Sequence, residues 1–290
     1  MQKPIRSKGI ELPFMKFTVL GSGSSGNAVL ISSEKTKVLI DAGLSAREIV
    51  RRLALVGVDP RDLDGIVITH EHSDHIGGLK NLLRLVDCPV YITGDTEEAY
   101  YWTRKTHENG ESESVRRRHS LNERTVEIEA NTDFCIGDID FEPFTVPHDA
   151  VDNFGFLAKC DGVRIAALTD FGHVTRLICE KLRGCDAIFI ESNHSRDMLS
   201  ACRVYSWSLK QRIASRRGHL SNEDLAEWLQ HDFDGTARHI VLAHLSQRAN
   251  EPHLARITAE TALRMRAPLF PAETKITLST HNEPTEWFMF

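Results

Sequence analysis

Residues 69–78 read THEHSDHIGG and follow directly on the apolar run DGIVI, so that His70, His72, Asp74 and His75 fall within six positions at the end of a predicted strand. In an extended segment alternate side chains point the same way, and His70 and His72 can hold one cation together. Asp74 and His75 open the helix that follows and reach a neighbouring position from its first turn. One stretch thus supplies ligands to two metals. The metalloprotease pattern H-E-x-x-H would need histidine at 74, where aspartate stands, and would lie in mid-helix. A dinuclear site needs further ligands at strand ends. The chain offers His148 in FTVPHD, Asp170 in AALTD and His244 in IVLAHLS, each closing an apolar run.

Outward from this motif, β-rich runs are predicted at 16–20, 28–32, 37–41, 65–69, 89–93, 139–146, 154–160, 163–169, 186–191, 239–244 and 275–279. Helical patterns fall between them at about 45–56, 75–86, 95–107, 174–183, 207–215, 221–231 and 252–265, several opened by a Ser, Asp or Asn cap. Interleaved strands and helices predict an α/β layered domain. The polar segment ENGESESVRRRHSLNER (108–124) is expected to be a long exposed loop, with Arg116, Arg117 and Arg118 a solvated charge run. GSGSSG (21–26), with Asp41 beyond it, matches a dinucleotide fingerprint, but two strands follow where that fingerprint needs a helix. It reads as a Gly/Ser turn whose backbone amides can meet an anion, with Ser24 and Asn27 as candidate substrate contacts.

Composition adds limits. Of 290 residues, 41% are hydrophobic and 26% charged, the balance of an ordinary soluble domain, and no apolar run approaches the roughly 18 residues of a membrane helix. The first segment has no apolar core of a secretory signal, and the six cysteines form no C-x-x-C pair, so the expected compartment is the cytoplasm and no disulfide is expected. A formal charge of -6 counts carboxylates that bound metal neutralises, so nucleic acid stays among the partners. No membrane partner is expected, and the oligomeric state, a homodimer included, stays open.

Asp41, HEHSDH, His148, Asp170 and His244 stand in the order of the five motifs of the metallo-β-lactamase superfamily, which this sequence resembles from about Met15 to about residue 265. KFTVLGSGSSGNAVLI, ESNHS, WSLKQRI, GHLSNEDLAEWL and LAHLSQRANEPHLA resemble the YycJ-type (WalJ-like) branch, MBL-fold exonucleases related to RNase Z. The resemblance implies a four-layer αββα sandwich over residues 15–290, with 1–14 an N-terminal extension. It implies two divalent ions, zinc or manganese: His70, His72 and His148 on the first, Asp74, His75 and His244 on the second, and Asp170 bridging. Asp41 would hold a ligand loop. TDFGH departs from the family, where a small hydroxyl residue and glycine usually follow the aspartate.

The implied reaction is hydrolysis with a metal-bridged hydroxide as nucleophile. Asp74, His219 and Glu191 are the implied catalytic residues; His219 protonates the leaving oxygen and Glu191 orients it, by likeness to RNase Z. Lys210, Arg212, Arg216 and Arg217, just before His219, are candidate phosphate contacts, and a solvated basic helix face is the plain alternative. Asn193 and His194 of ESNHS are candidate substrate contacts, and His173 follows the bridging aspartate closely. The first expectation is a 5′-3′ exonuclease on DNA, with RNA second. A glyoxalase-like hydrolase of small thioesters or phosphodiesters and a metal-stabilised, non-enzymatic regulatory binding protein are the alternatives. Lactamases commonly carry cysteine where Asp170 stands, which weighs against an antibiotic substrate.

Overall fold

The computed structural model describes residues 15–106, 112–116, 121, 124–266 and 273–290; the 1–14 extension, His107, His119, Arg117 and Arg118 lie outside them. In chain order the strands are β1 (Met15–Gly21), β2 (Ala28–Ser33), β3 (Lys37–Ile40), β4 (Gly65–Val67), β5 (Val90–Ile92), β6 (Trp102–Thr106), β7 (Ser112–Arg116) and β8 (Thr125–Glu127). They continue as β9 (Phe134–Ile136), β10 (Ile139–Thr145), β11 (Phe154–Cys160), β12 (Val163–Leu168), β13 (Ala187–Glu191), β14 (His239–Ala243), β15 (Lys275–Leu278) and β16 (Phe288–Met289). The helices are α1 (Ala46–Leu55), α2 (Ser73–Ile76), α3 (Leu79–Leu82), α4 (Gly94–Tyr101), α5 (Arg176–Leu182), α6 (Arg196–Ala201), α7 (Trp207–Ile213), α8 (Asn222–His231) and α9 (Pro252–Met265).

Two sheets carry the fold, ordered β16-β1-β2-β3-β4-β5-β8 and β15-β14-β13-β12-β11-β10-β9. Each begins with antiparallel pairs and turns parallel, at β3·β4 in the first and β12·β13 in the second. Period-two alternation sorts the side chains between layers. On β13, Ala187 and Phe189 face the other sheet and share the central core with its Phe17 and Ile31 and with Phe141, Phe156 and Val241 of their own sheet. Ile188 and Ile190 point the other way, beneath Leu225 and Trp228 of α8 and Ala255 and Ala259 of α9. On the opposite flank Ile49 and Leu53 of α1 and Leu79 and Leu82 of α3 cover Leu30 and Leu39. The result is the four-layer αββα sandwich. α7 differs from the other helices: none of its residues is buried.

Three expectations are corrected. The helix predicted over 75–86 is broken into α2 and α3 at Gly77–Gly78, because the 42–44 backbone passes so close that a Cβ on Gly78 would lie 1.9 Å from the Leu44 carbonyl oxygen. The helix predicted over 95–107 ends at Tyr101; the β-favouring run WTRKT forms β6 instead. Part of the expected loop 108–124 is β7, which pairs antiparallel with β6. The short strands β8, β9 and β16 and helix α6 lacked enough sequence period to be predicted. The Gly/Ser turn is confirmed as a turn, closed by a hydrogen bond from Gly26 N to Gly23 O (2.9 Å).

Candidate metal centre and active-site cleft

The C-terminal ends of β3, β4, β10, β12, β13 and β14 lead into Asp41, His70, His148, Asp170, Glu191 and His244, so both sheets deliver donors to one edge of the sandwich. The chain leaves three of these strands by a left-handed step: φ is 61° at Asp41, 57° at Asp170 and 52° at His244. A non-glycine residue in that region costs of order 1–3 kcal/mol and is held only where its surroundings over-determine it. Here the holders are visible. Asp41 N donates to Val67 O (2.8 Å), Asn153 Nδ2 to Asp170 O (2.6 Å), Asn193 Nδ2 to His244 O (2.8 Å), and His244 N to Ser22 Oγ (2.9 Å).

His70, His72 and His148 form one donor group, with His72 Nδ1 3.3 Å from His148 Nε2. A second gathers around Asp170: its Oδ2 lies 2.5 Å from His75 Nε2 and its Oδ1 2.6 Å from His244 Nδ1, while Asp74 Oδ2 lies 3.8 Å from His75 Nε2 and 3.5 Å from His244 Nε2. His70 Nε2 and His244 Nε2 are buried without a hydrogen-bond partner among the described residues. Buried polar atoms left so cost about 1–3 kcal/mol each. Imidazole and carboxylate donors facing one another at such distances fit divalent cations of the zinc or manganese kind.

The electrostatics agree with that fit. Burial lowers His70 and His148, which keeps both imidazoles neutral, the form a ligand needs. Burial also opposes charge on His75, but the Asp41 and Asp170 carboxylates outweigh it and push His75 well above its usual value; for His244, Asp170 is the largest opposing influence, with the same net result. Asp170 is penalised by burial, yet the His244 and His75 rings hold it well below the usual carboxylate range. A site that draws protons so strongly has an excess of negative acceptor that a cation neutralises.

A ring of partners orients these groups. Asp41 Oδ2 accepts from His75 Nδ1 (2.6 Å), which turns His75 Nε2 inward, and Asp41 also accepts from Thr69 N and Thr69 Oγ1. Glu191 is fully buried and shared: Oε1 accepts from His219 Nδ1 and His244 Nδ1, both at 2.8 Å, and Oε2 from the amides of Phe171 and Leu220. Burial opposes the Glu191 charge, but the His219 and His244 rings bring it down to about 2. Burial likewise opposes charge on His219, and Glu191 and Asp170 raise it to about 9. Phe171, the departure in TDFGH, is wholly buried in the core beneath α5 and α8; its amide, not its ring, serves the site.

A cleft of about 230 Å³ begins at His219 and is lined by Ser24, Asp149, Asn193, Tyr205 and Arg212 among others. Ser24, Asn193 and Arg212 therefore stand where the sequence predicted substrate contacts. Asn27 does not. It is buried, with Nδ2 2.9 Å from His75 Nε2 and its backbone N donating to Asp74 O, so it braces the donor loop. The basic stretch also divides. Arg212 is ion-paired with Asp149 in the cleft, Arg216 bonds His173 Nε2 (2.9 Å), and Arg217 Nε donates to His148 O (2.8 Å). Lys210 lies on the far side of α7. With His148 Nδ1 3.1 Å from Gly218 O, the 216–219 segment is a clamp that ties His219 to the His148 loop. Thr69, Ser22, Asp149 and Tyr205 were missed; only Asp149 and Thr69, beside predicted ligands, gave any sequence signal.

His194 of ESNHS, a candidate substrate contact, is the other histidine near the end of β13. It is buried against α6 and α7, outside every donor group. His244→Ala should therefore lower metal content measured by mass spectrometry, with His194→Ala close to wild type; the reverse would move the ligand to ESNHS.

Comparison with known proteins gives three kinds of match. Residues 36–245 match the beta-lactamase superfamily domain. Exodeoxyribonuclease WalJ of Streptococcus pneumoniae is 39% identical over 243 residues, 84% of this chain and 86% of that protein. Exodeoxyribonuclease YycJ of Bacillus anthracis is 34% identical over 249 residues, 86% of this chain and 89% of that protein. Among solved structures, the metallo-beta-lactamase fold protein YhfI of Bacillus subtilis superposes with a TM-score of 0.67 at 16% identity, covering 94% of this chain and 99% of that one.

Proposed function

The chain belongs to the β-lactamase superfamily and is a metal-dependent hydrolase, and from this premise we propose that it removes nucleotides from the 5′ end of DNA by phosphodiester hydrolysis at two metal ions. The observation that carries the reading is the His219–Glu191 pair, an imidazole hydrogen-bonded to a buried carboxylate, opening on the same cleft as Arg212 and next to the donor groups. Exodeoxyribonuclease relatives matched over most of their length support DNA as the substrate.

In this reading His70, His72 and His148 hold one cation, and Asp74, His75 and His244 hold the other, with Asp170 shared. Such ions supply Lewis acidity and an acidified water near neutral pH. The chain's own groups do the rest. Asp41 and Glu191 fix the faces of His75 and His244. Arg212 and Ser24 meet phosphate in the cleft, and Asn193 keeps the His244 carbonyl in place. His219, held through Nδ1, offers Nε2–H to the oxygen that leaves.

End-labelled single- and double-stranded DNA and RNA, a thioester and a simple phosphodiester, each supplied with zinc or manganese, test the proposal. DNA degraded from its 5′ end is expected; thioester turnover without nucleic acid cleavage would overturn it. Arg212→Ala should also weaken oligonucleotide binding and reduce its salt slope by about 0.7, one fewer single-strand phosphate contact. Arg216→Ala and Arg217→Ala should change that slope less, because neither residue lines the cleft that Arg212 and its partner Asp149 line.

A further inference from the structure

The two faces of α7 look into two cavities. Leu209, Arg212 and Ile213, at i, i+3 and i+4, line the catalytic cleft, whereas Trp207, Lys210, Gln211 and Ala214, at i, i+3, i+4 and i+7, line a second cavity, also of about 230 Å³. A helix without a buried residue that serves as a wall between two hollows is not explained by core packing. Asn193 and His194, adjacent in the chain, divide in the same way, one to each cavity.

The second cavity has a definite chemistry. Its floor is apolar, from Leu199 and Ala214, and Trp207 stands at its rim with 74% of its surface exposed. Arg196 and Lys210 are its charged residues, and no acid lines it. Lys210 gives one N–H to Ser200 O and Arg196 one nitrogen to Asp224, so each retains donors. His194, 2% exposed, also lines it, and its Nδ1 is buried with no partner among the described residues. A flat π-face and two cations beside an apolar floor match a nucleotide: base on the indole, phosphate on the cations.

We propose that this cavity is a second nucleotide subsite, which stacks a base of the same strand on Trp207 while the scissile end lies in the cleft across α7. It rests on the nucleic acid reading given above and adds where the strand runs. A helix with its side chains is about 10 Å across, so the base held there is separated from the cut bond by a few phosphates. The site therefore acts on strand length: a dinucleotide cannot reach it, and a longer oligonucleotide gains from it.

Steady-state cleavage of 5′-labelled DNA from two to twelve nucleotides tests this. Wild type should show kcat/KM rising with length, and Trp207→Ala should remove about tenfold of that gain through KM, with Trp207→Phe restoring most of it. Tryptophan fluorescence should be quenched by a phosphorothioate decamer in wild type and much less in Trp207→Phe. Cleavage of DNA with an unaltered length profile in Trp207→Ala would overturn the subsite and leave the nuclease reading intact. Failure of wild type to cleave any oligonucleotide would overturn that reading first. Loss of the length gain without any fluorescence change would assign Trp207 a structural role and also overturn the subsite.

Discussion

His219→Ala is expected to slow hydrolysis of a diester with a poor alkoxide leaving group by about 10²–10⁴-fold, with metal content and fold unchanged. The ring contacts Glu191 and Asp170 through Nδ1 and stands with them and His244 in one cluster of donors, so the metal content of the variant is measured beside its rate. Its task is to supply a proton, and a nitrophenyl ester, which leaves without one, should be far less affected. The acid form exists below the ring's pKa. Glu191 and Asp170 raise that value to about 9 against the opposing effect of burial, so the rate should fall as pH rises through an alkaline limb. Cations bound beside Asp170 share its charge and set the limb at or below that pH. Glu191→Gln removes the adjacent anion and should move the limb lower still, with a milder loss at neutral pH. Equal loss on both esters, or lost metal, would make His219 a structural residue.

Asp170→Ala should reduce activity to background and lower bound metal from close to two ions per chain to less than one. Asp170 lies within 2.6 Å of both His75 and His244 and is all but fully buried, with imidazole nitrogens against both its oxygens. Asp74 reaches His75 and His244 from one side only, so Asp74→Ala should lose mainly one ion. Metal analysis after reconstitution and dialysis distinguishes the two. Wild type binding a single ion, with Asp74→Ala indistinguishable from it, would remove the two-ion arrangement and leave the hydrolase assignment standing.

His70, His148, Asp170 and His244 were legible as candidates because each follows an apolar run, and His72, Asp74 and His75 because they crowd behind the first of these. The sandwich followed from the interleaving of those runs. What the sequence concealed depends on approach between distant segments. Arg216 and Arg217 read as phosphate contacts, since nothing local announces that His173 and the His148 carbonyl occupy them. Asn27 read as a substrate contact, whereas it is buried under the 41–44 loop, whose Gly43 N donates to its carbonyl oxygen. The dipeptide Gly77–Gly78 did announce the break between α2 and α3, and the apolar period on either side outweighed it. Tyr205 carried no signal, because a cleft wall has no local sequence period of its own.

Donors drawn from both sheets have a consequence for the birth of the protein. Asp41 and His75 leave the ribosome early, whereas Asp170, Glu191, His219 and His244 follow only after most of the chain has been made, and β14 must pair with β13 before His244 can face Asp74. Contacts of such sequence separation form late in folding. With the ligand set proposed above, a nascent or truncated chain that stops short of β14 would lack His244 and so hold an incomplete site. Hydrolytic power would then arrive together with the finished fold.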